Sequence, residues 1–152
     1  MKLEKGKLAP DFELADNQGG KVKLSDLRGK KVLLSWHPLA WTSVCTDQMR
    51  ALETHFEDFE KLNTVALGLS VDSAPSKKVW ADVLSIKNTK LLADFHPHGK
   101  VAQDQGLFLD ELGASGRANI IIDDKGVVQW VKVYDIPELP DIDEVLDVLK
   151  SL

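Results

Sequence analysis

The sequence predicts an α/β fold in which a central mixed sheet is flanked by helices. Two strands, 31–36 and 64–71, are apolar on both faces, which is typical of strands covered by helices on either side. A helical segment joins them, and such a strand–helix–strand unit is expected to be parallel and right-handed. Further along, the turn residues 123–126 stand between two apolar runs and predict an antiparallel hairpin. Parallel and antiparallel connections together indicate a mixed sheet.

The N-terminal part of the chain predicts a short hairpin ahead of the main sheet. Residues 8–24 carry spaced apolar side chains around the turn residues 17–20. Residues 25–29 are either one helical turn ended by glycine or a plain connector. After the strand at 31–36, apolar residues at helical spacing predict one helix over 44–61.

The second half supplies two more helices and the remaining strands. Pro75 starts a helix in which Val79, Val83 and Ile86 are expected to form the inward stripe, with Trp80 beside it. The other predicted elements are a short strand at 91–93, a helical turn or two over 100–105, strands at 118–122 and 127–134, and a final helix between Pro140 and Lys150. This order is the thioredoxin arrangement, so we expect a thioredoxin-like fold with an N-terminal β-hairpin extension, in a single domain over 1–152.

Composition excludes several classes of function. The net charge of −5 and the pI near 5.3 argue against a nucleic-acid or anionic-membrane surface, because such surfaces need basic patches. The first seven residues contain no apolar run that could serve as a signal peptide, and no segment approaches the roughly eighteen apolar residues of a membrane helix. One cysteine precludes an internal disulfide and fits a reducing compartment. We therefore expect a cytoplasmic protein with neither nucleic acid nor membrane as a partner.

The chain's only cysteine, Cys45, stands where a buried strand gives way to a helix. In the first turn of a helix, unbonded N–H groups and the positive end of the helix dipole favour a thiolate over a thiol. Cys45 also shares an apolar stripe with Met49, so an inert buried cysteine is the alternative. Its neighbours favour chemistry: Pro38 fixes the chain direction, Thr42 puts a hydroxyl one turn before the sulfur, and Ser43 can cap the helix.

The pattern PxxxTxxC, from Pro38 to Cys45, resembles the active-site motif of peroxiredoxins, the thiol peroxidases of the AhpC/TSA family, which are built on a thioredoxin-like fold. The resemblance runs over essentially the whole chain. It is greatest to the short AhpE-like peroxiredoxins, at residues 38–42, 45, 78–81, 94–99 and 116–117. His37 and residues 44–46 also resemble the longer one-cysteine peroxiredoxins.

The resemblance implies a thiol-dependent peroxidase with a one-cysteine mechanism. Cys45 would reduce hydrogen peroxide, an organic hydroperoxide or peroxynitrite and become a sulfenic acid. Because the chain holds no second cysteine, an external thiol or a redoxin-type protein must regenerate it. The family also implies a homodimer or a larger homo-oligomer, and no cofactor is expected. The competing hypothesis is a non-cycling redox sensor or partner-binding module that is switched by oxidation of Cys45.

The resemblance also suggests roles for the residues around the sulfur. Thr42 would hydrogen-bond the peroxide, and the N–H groups near Val44 and Cys45 would meet the developing negative charge. Pro38 would shield the sulfur from water. Arg117 would contact thiolate and peroxide together through its guanidinium fork. Considered alone, Arg117 is equally consistent with a surface ion pair, but its position just before an Ile-rich strand favours the active site.

Three further residues are candidates for the surroundings of the site. Many peroxiredoxins have a glutamate that orients the arginine where this chain has Gln48, which is neutral but still forms hydrogen bonds. His37 either touches the sulfur or is an exposed loop histidine. Trp41 either lines the access path of the peroxide, belongs to a subunit interface or packs in the core. His96 and His98 lack a third nearby His or Cys, so we expect no metal site.

Overall fold

A computed structural model describes residues 3–152; Met1 and Lys2, part of the N-terminal stretch without an apolar run, lie outside the described residues. The strands are β1 (Glu13–Asp16), β2 (Lys21–Lys23), β3 (Lys31–Trp36), β4 (Thr64–Ser70), β5 (Lys90–Ala93), β6 (Phe108–Leu109), β7 (Ala114–Ser115), β8 (Arg117–Ile122) and β9 (Val128–Tyr134). The helices are α1 (Ser43–Thr54), α2 (Phe56–Lys61), α3 (Ala74–Leu84), α4 (Lys100–Asp104) and α5 (Ile142–Lys150), and a 3-10 turn spans Leu24–Leu27.

Over residues 3–152, seven strands form one sheet in the order β2-β1-β5-β4-β3-β8-β9. Strands β3, β4 and β5 run parallel, whereas β8 is antiparallel to β3 and β9 is antiparallel to β8. The predicted mixed sheet and parallel β3–α–β4 unit are therefore confirmed. The short antiparallel ribbon of β6 and β7 was not predicted, because two-residue strands leave no periodic pattern in the sequence.

The predicted N-terminal hairpin is confirmed as β1 and β2, which are antiparallel neighbours. It is joined to the main sheet rather than separate from it, since β1 also pairs with β5 through Ala15 and Asp16. The 3-10 turn that follows β2 agrees with the helical-turn interpretation of residues 25–29 and not with the plain connector.

Two helix predictions need correction. The single helix expected over 44–61 is divided at His55, whose backbone leaves helical geometry at φ −100° and ψ 18° while its ring pairs with Asp58 in the first turn of α2. In α3 the predicted inward stripe is wrong, because Val79 and Val83 are 53% and 65% exposed.

The face of α3 that points inward contains Lys77, Trp80 and Ala81, spaced as i, i+3 and i+4. The large apolar surface of the Trp80 ring, which is 1% exposed, favours this rotation of the helix. Ile86 is buried as predicted, but it lies beyond the end of α3. The stripe was missed because its first member is a lysine, a residue type that is rarely buried.

The sheet separates two apolar clusters, and Cys45 belongs to the one that α1, α3 and α5 cover. Helix α1 approaches the sheet closely at Gly68, where a Cβ atom would lie 2.3 Å from the Met49 sulfur and 2.8 Å from Leu91 Cδ2. Met49 is one turn after Cys45, so this close approach fixes how near the first turn of α1, which contains Cys45, lies to the sheet. Between residues 3 and 152, no helix has both the length and the apolar character needed to cross a membrane.

Candidate active site

Neighbouring strands of the sheet bring distant parts of the sequence together at Cys45. Trp36, the last residue of β3, pairs with Ala118 in β8, so the loop after β3 and Arg117 at the start of β8 lie at the same edge of the sheet. Helix α1 begins at that edge, and Cys45 is its third residue. Cys45 is 1% exposed, which places its sulfur against the protein rather than in open solvent.

The first turn of α1 presents free backbone donors beside the sulfur. Thr46 N–H donates to the Thr42 carbonyl at 2.9 Å, but within residues 3–152 the amides of Ser43, Val44 and Cys45 donate to no acceptor. The predicted cap by Ser43 is wrong: Ser43 is inside the helix and Thr42 holds the capping position. The Thr42 hydroxyl donates to the Leu39 carbonyl at 2.8 Å instead of accepting from the helix. These amides are therefore available to a bound anion.

Arg117 is placed against the sulfur by four hydrogen bonds. Its Nη1 group donates to Cys45 Sγ at 3.4 Å and to Gln48 Oε1 at 2.7 Å. Its Nε and Nη2 groups both donate to the Ile136 carbonyl, at 3.0 Å and 2.6 Å. The planar fork is thus fixed in orientation, because a guanidinium held at three of its nitrogens cannot rotate freely.

Within residues 3–152, the charge on Arg117 has no carboxylate partner. Arg117 is 2% exposed, and among the described residues no Asp or Glu lies within ion-pair distance of it. A buried guanidinium remains protonated and needs an anion to offset its desolvation. Of the groups that accept its hydrogen bonds, Cys45 is the one that ionises. The surface ion-pair interpretation of Arg117 is therefore wrong.

Gln48 connects this arginine to the end of β3. It is buried, and its amide nitrogen donates to Ser35 Oγ at 2.8 Å and to the Trp36 carbonyl at 3.1 Å. These donations leave the amide oxygen to accept from Arg117, so the orientation of the amide follows from its partners. A neutral side chain thus reaches the arginine in the way predicted for position 48.

A pocket of about 390 Å³ opens beside Cys45. Its walls combine polar groups near the sulfur with a larger apolar part. The lining residues are Pro38, Leu39, Thr42, Ser43, Val44, Cys45, Leu112, Ala114, Arg117, Ile136 and Pro137. The structure therefore brings Pro38, Thr42, Val44, Cys45 and Arg117 to one surface, as the sequence analysis expected.

Two other predicted residues lie off this pocket. Trp41 is 53% exposed, its indole nitrogen donates to Ser76 Oγ at 3.1 Å, and its ring lies 6.5 Å from that of Trp80, so it is not a core residue. His37 is completely buried, and the exposed-loop interpretation is wrong. Among the described residues its ring makes one hydrogen bond, which joins Nε2 to Lys77 Nζ at 3.2 Å rather than to the sulfur.

The sequence analysis missed two features of the site. The Ile136 carbonyl holds Arg117, and no side-chain pattern could have revealed a backbone acceptor. Lys77, which is completely buried and bonded to His37 and Ser70, was overlooked on α3. Its signal is the spacing of Lys77 with Trp80 and Ala81, a helical stripe that starts with a charged residue.

Comparisons with known proteins agree with this geometry. The model of the AhpC/TSA family matches residues 5–131. The chain is 36% identical to alkyl hydroperoxide reductase E of Mycobacterium bovis over 140 residues, covering 91% of each chain. It is 37% identical to mouse (Mus musculus) peroxiredoxin-2 over 155 residues, covering 96% of this chain and 77% of the relative.

Among solved structures, the reduced form of Plasmodium vivax 2-Cys peroxiredoxin superposes with a TM-score of 0.88 at 31% identity, over 96% of this chain and 80% of the other. The thioredoxin-like fold is thereby confirmed. The resemblance to the AhpE-like group is confirmed by the relatives of that name, and the single cysteine fits the one-cysteine type. The chain belongs to the AhpC/TSA family of peroxiredoxins and is a thiol-dependent peroxidase.

Proposed function

We propose that the Cys45 thiolate reduces alkyl hydroperoxides as well as hydrogen peroxide, with Arg117, Thr42 and the amides of Val44 and Cys45 stabilising the transition state. The observation that carries this proposal is the buried guanidinium of Arg117, which has no carboxylate partner in residues 3–152 and donates to Cys45 Sγ. A charged group in that position is offset only when the sulfur is an anion.

The chemistry is a displacement at oxygen. The thiolate sulfur attacks one oxygen of the peroxide, an S–O bond forms and the O–O bond breaks. Sulfur is oxidised to the sulfenic acid of Cys45, and the departing alkoxide or hydroxide takes a proton to leave as an alcohol or water. Negative charge spreads from sulfur onto both oxygens during this step, so donors aimed at that region accelerate it.

The pocket offers such donors beside the sulfur. Arg117 donates to the sulfur itself, and the amides of Val44 and Cys45, in the first turn of α1, have no acceptor within residues 3–152. The Thr42 hydroxyl gives its proton to Leu39, so its oxygen is free to accept a hydrogen bond from the peroxide O–H and to align it. Pro38 is buried beside the sulfur, where it limits access of water.

The size and lining of the pocket support organic hydroperoxides as substrates. One water occupies about 30 Å³ in the liquid, so about 390 Å³ is far more room than hydrogen peroxide needs. Apolar side chains from Leu39, Leu112, Ile136 and Pro137 form the part of the wall that an alkyl group would contact. Burial of such a group against them is favourable by about 25 cal/mol per Å².

Regeneration completes the cycle. A first external thiol condenses with the sulfenic acid, releases water and forms a mixed disulfide with Cys45. A second thiol then reduces this disulfide and restores the thiolate. We propose a small thiol or a redoxin-type protein in this role, in keeping with the predicted cytoplasmic location, where such thiols are kept reduced.

A homodimer or larger homo-oligomer is part of the same proposal. Trp41, Val79 and Val83 are all more than half exposed, and large apolar side chains at a surface favour contact with another chain. A second copy of this chain fits the family resemblance. Sedimentation analysis of the reduced protein measures the state directly, and a monomer at all concentrations would contradict this part of the proposal.

The central test is a titration of reduced protein with tert-butyl hydroperoxide and with hydrogen peroxide. We expect one equivalent of either to be consumed within seconds, to form a sulfenic acid at Cys45 and to be turned over repeatedly once dithiothreitol is added. Cys45→Ser is the matched control and should consume none. Stoichiometric oxidation without cycling would support the redox sensor instead.

A further inference from the structure

We propose that Lys77 is a second cation of the peroxidase site, a positioning residue that supports the Cys45 thiolate from outside the pocket and holds the loop that carries Pro38 and Thr42. The inference rests on the proposed function and adds a residue that is absent from the pocket wall. Lys77 extends from the buried face of α3 and is completely inaccessible to solvent.

The ammonium group of Lys77 is bonded to two uncharged partners. It donates to His37 Nε2 at 3.2 Å and to Ser70 Oγ. Among the described residues no carboxylate lies within ion-pair distance of it. A buried lysine without a contacting anion is costly to fold, so the position of Lys77 calls for a functional reason.

The charged and titratable groups that act on Lys77 come from several elements of the fold. Asp72 follows β4, Cys45 is in α1, and Asp94 follows β5; the negative charges of these three favour the charged form of Lys77. His37 follows β3 and contacts the ammonium directly, while Arg117 acts on His37. Because electrostatic interaction is mutual, a thiolate that favours the Lys77 cation is itself favoured by that cation.

Lys77 is also linked to the backbone of the reactive loop, residues 37–42. Ser70 Oγ accepts from Lys77 and donates to Asp72 Oδ2 at 2.6 Å, and that same oxygen accepts from the Ala40 amide at 2.8 Å. His37, the other partner of Lys77, directly precedes Pro38. Lys77 is therefore connected to the loop 37–42 at two points, through side chains that are all buried or half-buried.

Burial lowers the pKa of Lys77 from 10.5 to about 7, against the opposing effect of Asp72, Cys45 and Asp94. The pKa of His37 falls well below its usual value, because of burial first and the Lys77 charge second. His37 is therefore neutral, and its Nε2 accepts a hydrogen bond from the Lys77 ammonium. Arg117 keeps its charge throughout the accessible pH range, whereas Lys77 loses its charge as the pH rises through neutrality. The supporting charge from Lys77 is thus strongest below about pH 7.

The test is the pH dependence of the second-order rate constant between reduced protein and tert-butyl hydroperoxide from pH 5 to pH 9. We expect the rate constant of the wild type to decline as the pH rises through neutrality and Lys77 loses its proton. In Lys77→Met the decline near neutrality should vanish, and the rate constant at pH 6 should fall about tenfold because the thiolate loses a supporting cation.

Lys78→Met is the matched control, since Lys78 is the next residue of α3 and its exposed ammonium pairs only with Asp82 in the described chain. Its profile should coincide with that of the wild type. Coincidence of the Lys77→Met and wild-type profiles would overturn the proposal.

If circular dichroism shows that Lys77→Met does not fold, Ser70→Ala is the deciding variant. It removes the hydroxyl that accepts from the Lys77 ammonium and should move the decline in rate to lower pH. An unchanged Ser70→Ala profile would overturn the proposal as well.

Alkylation of Cys45 by iodoacetamide separates this inference from the proposed function, since it reports on the thiolate without any peroxide. A wild-type protein that consumes no hydroperoxide but whose alkylation profile shifts in Lys77→Met would overturn the peroxide chemistry and support the role of Lys77. Rapid peroxide consumption with identical alkylation profiles would do the reverse.

Discussion

Two buried cations near Cys45 differ in chemistry and in exposure to the pocket. Arg117 lines the pocket and donates directly to the sulfur, with its remaining hydrogen bonds fixed by Gln48 and the Ile136 carbonyl. Lys77 is sealed behind the reactive loop and is bonded to His37 and Ser70. Neither cation has a carboxylate within ion-pair distance in residues 3–152.

The difference between the two positions follows from the two side chains. A guanidinium stays charged under all accessible conditions and offers a rigid fork, so it suits the place where substrate and sulfur must be contacted together. An ammonium is a compact charge whose pKa responds strongly to burial. Arg117 in the pocket wall therefore carries a permanent charge, and Lys77, which is buried outside the pocket, carries a charge that depends on pH.

The largest expected effect comes from removing the permanent charge. Arg117→Ala should lower the rate constant for peroxide reduction by about 100- to 1000-fold, because the sulfur and the transition state both lose their charged donor. Arg50→Ala, which changes an exposed arginine on the same helix as Cys45, should leave the rate unchanged. Stopped-flow kinetics with hydrogen peroxide measures both.

Arg117→Lys refines this comparison. A lysine keeps the positive charge but cannot bond Gln48, Ile136 and the sulfur with one planar group, so its rate should lie between those of the wild type and Arg117→Ala. Circular dichroism establishes that the variants are folded. Wild-type kinetics in a folded Arg117→Ala would remove Arg117 from the mechanism and leave Lys77 as the relevant cation.

The second largest effect concerns stability, and it distinguishes the titratable cation from the permanent one. The folded-state pKa of Lys77, about 7, is below its value of 10.5 in the unfolded chain, so between these values the unfolded chain binds more protons. The free energy of unfolding of the wild type should therefore rise with pH relative to that of Lys77→Met, by about 2 kcal/mol from pH 7 to pH 9.

Below pH 7 the difference between the two unfolding curves should stay constant, since Lys77 is then protonated in both states. Urea unfolding at four or five pH values measures it. Lys78→Met again serves as the control, because it removes a neighbouring lysine of α3 that is exposed rather than buried. A flat difference for Lys77→Met would mean that Lys77 keeps its proton throughout.

The sequence predicted the sheet and the pocket side of the site more completely than the sealed side. The apolar runs of β3 and β4 and the turn at 123–126 are local patterns, and the structure has strands and a hairpin there. The pocket residues Pro38, Thr42 and Arg117 came from a family resemblance that local patterns alone would not have supplied. The division of the helix at His55 was missed, because the apolar spacing continues across it into α2.

The sealed side was missed because burial of a lysine runs against the general preference of that residue type. The predicted inward face of α3 was based on Val79 and Val83, whereas in the structure Lys77 and Trp80 point inward. His37 follows β3, whereas Ser70 ends β4 and Asp72 lies two residues later, so the link that Lys77 makes between His37 and Ser70 depends on the parallel pairing of β3 and β4. A periodicity argument reads one element at a time and cannot assemble such a network.

The smallest expected effect is at Gln48, which connects the permanent cation to β3 and so tests how firmly that cation must be held. Gln48→Leu removes the acceptor at 2.7 Å from Arg117 Nη1 and should lower the rate about tenfold, or about 1.4 kcal/mol. Gln48→Glu keeps an oxygen that accepts from Arg117. Its other oxygen replaces the Gln48 amide nitrogen that donates to the Trp36 carbonyl in the wild type, so two acceptors face each other.

We therefore expect Gln48→Glu to lose less activity than Gln48→Leu, while the opposed oxygens cost about 1–3 kcal/mol against the stability gained from pairing a carboxylate with Arg117. Rate constants and urea unfolding of both variants at pH 6 measure the two effects separately. If Gln48→Leu reacts as fast as the wild type, the two hydrogen bonds from Arg117 to the Ile136 carbonyl suffice to hold the guanidinium. The orientation of the permanent cation would then come from the loop after β9, and the link to β3 would serve stability alone.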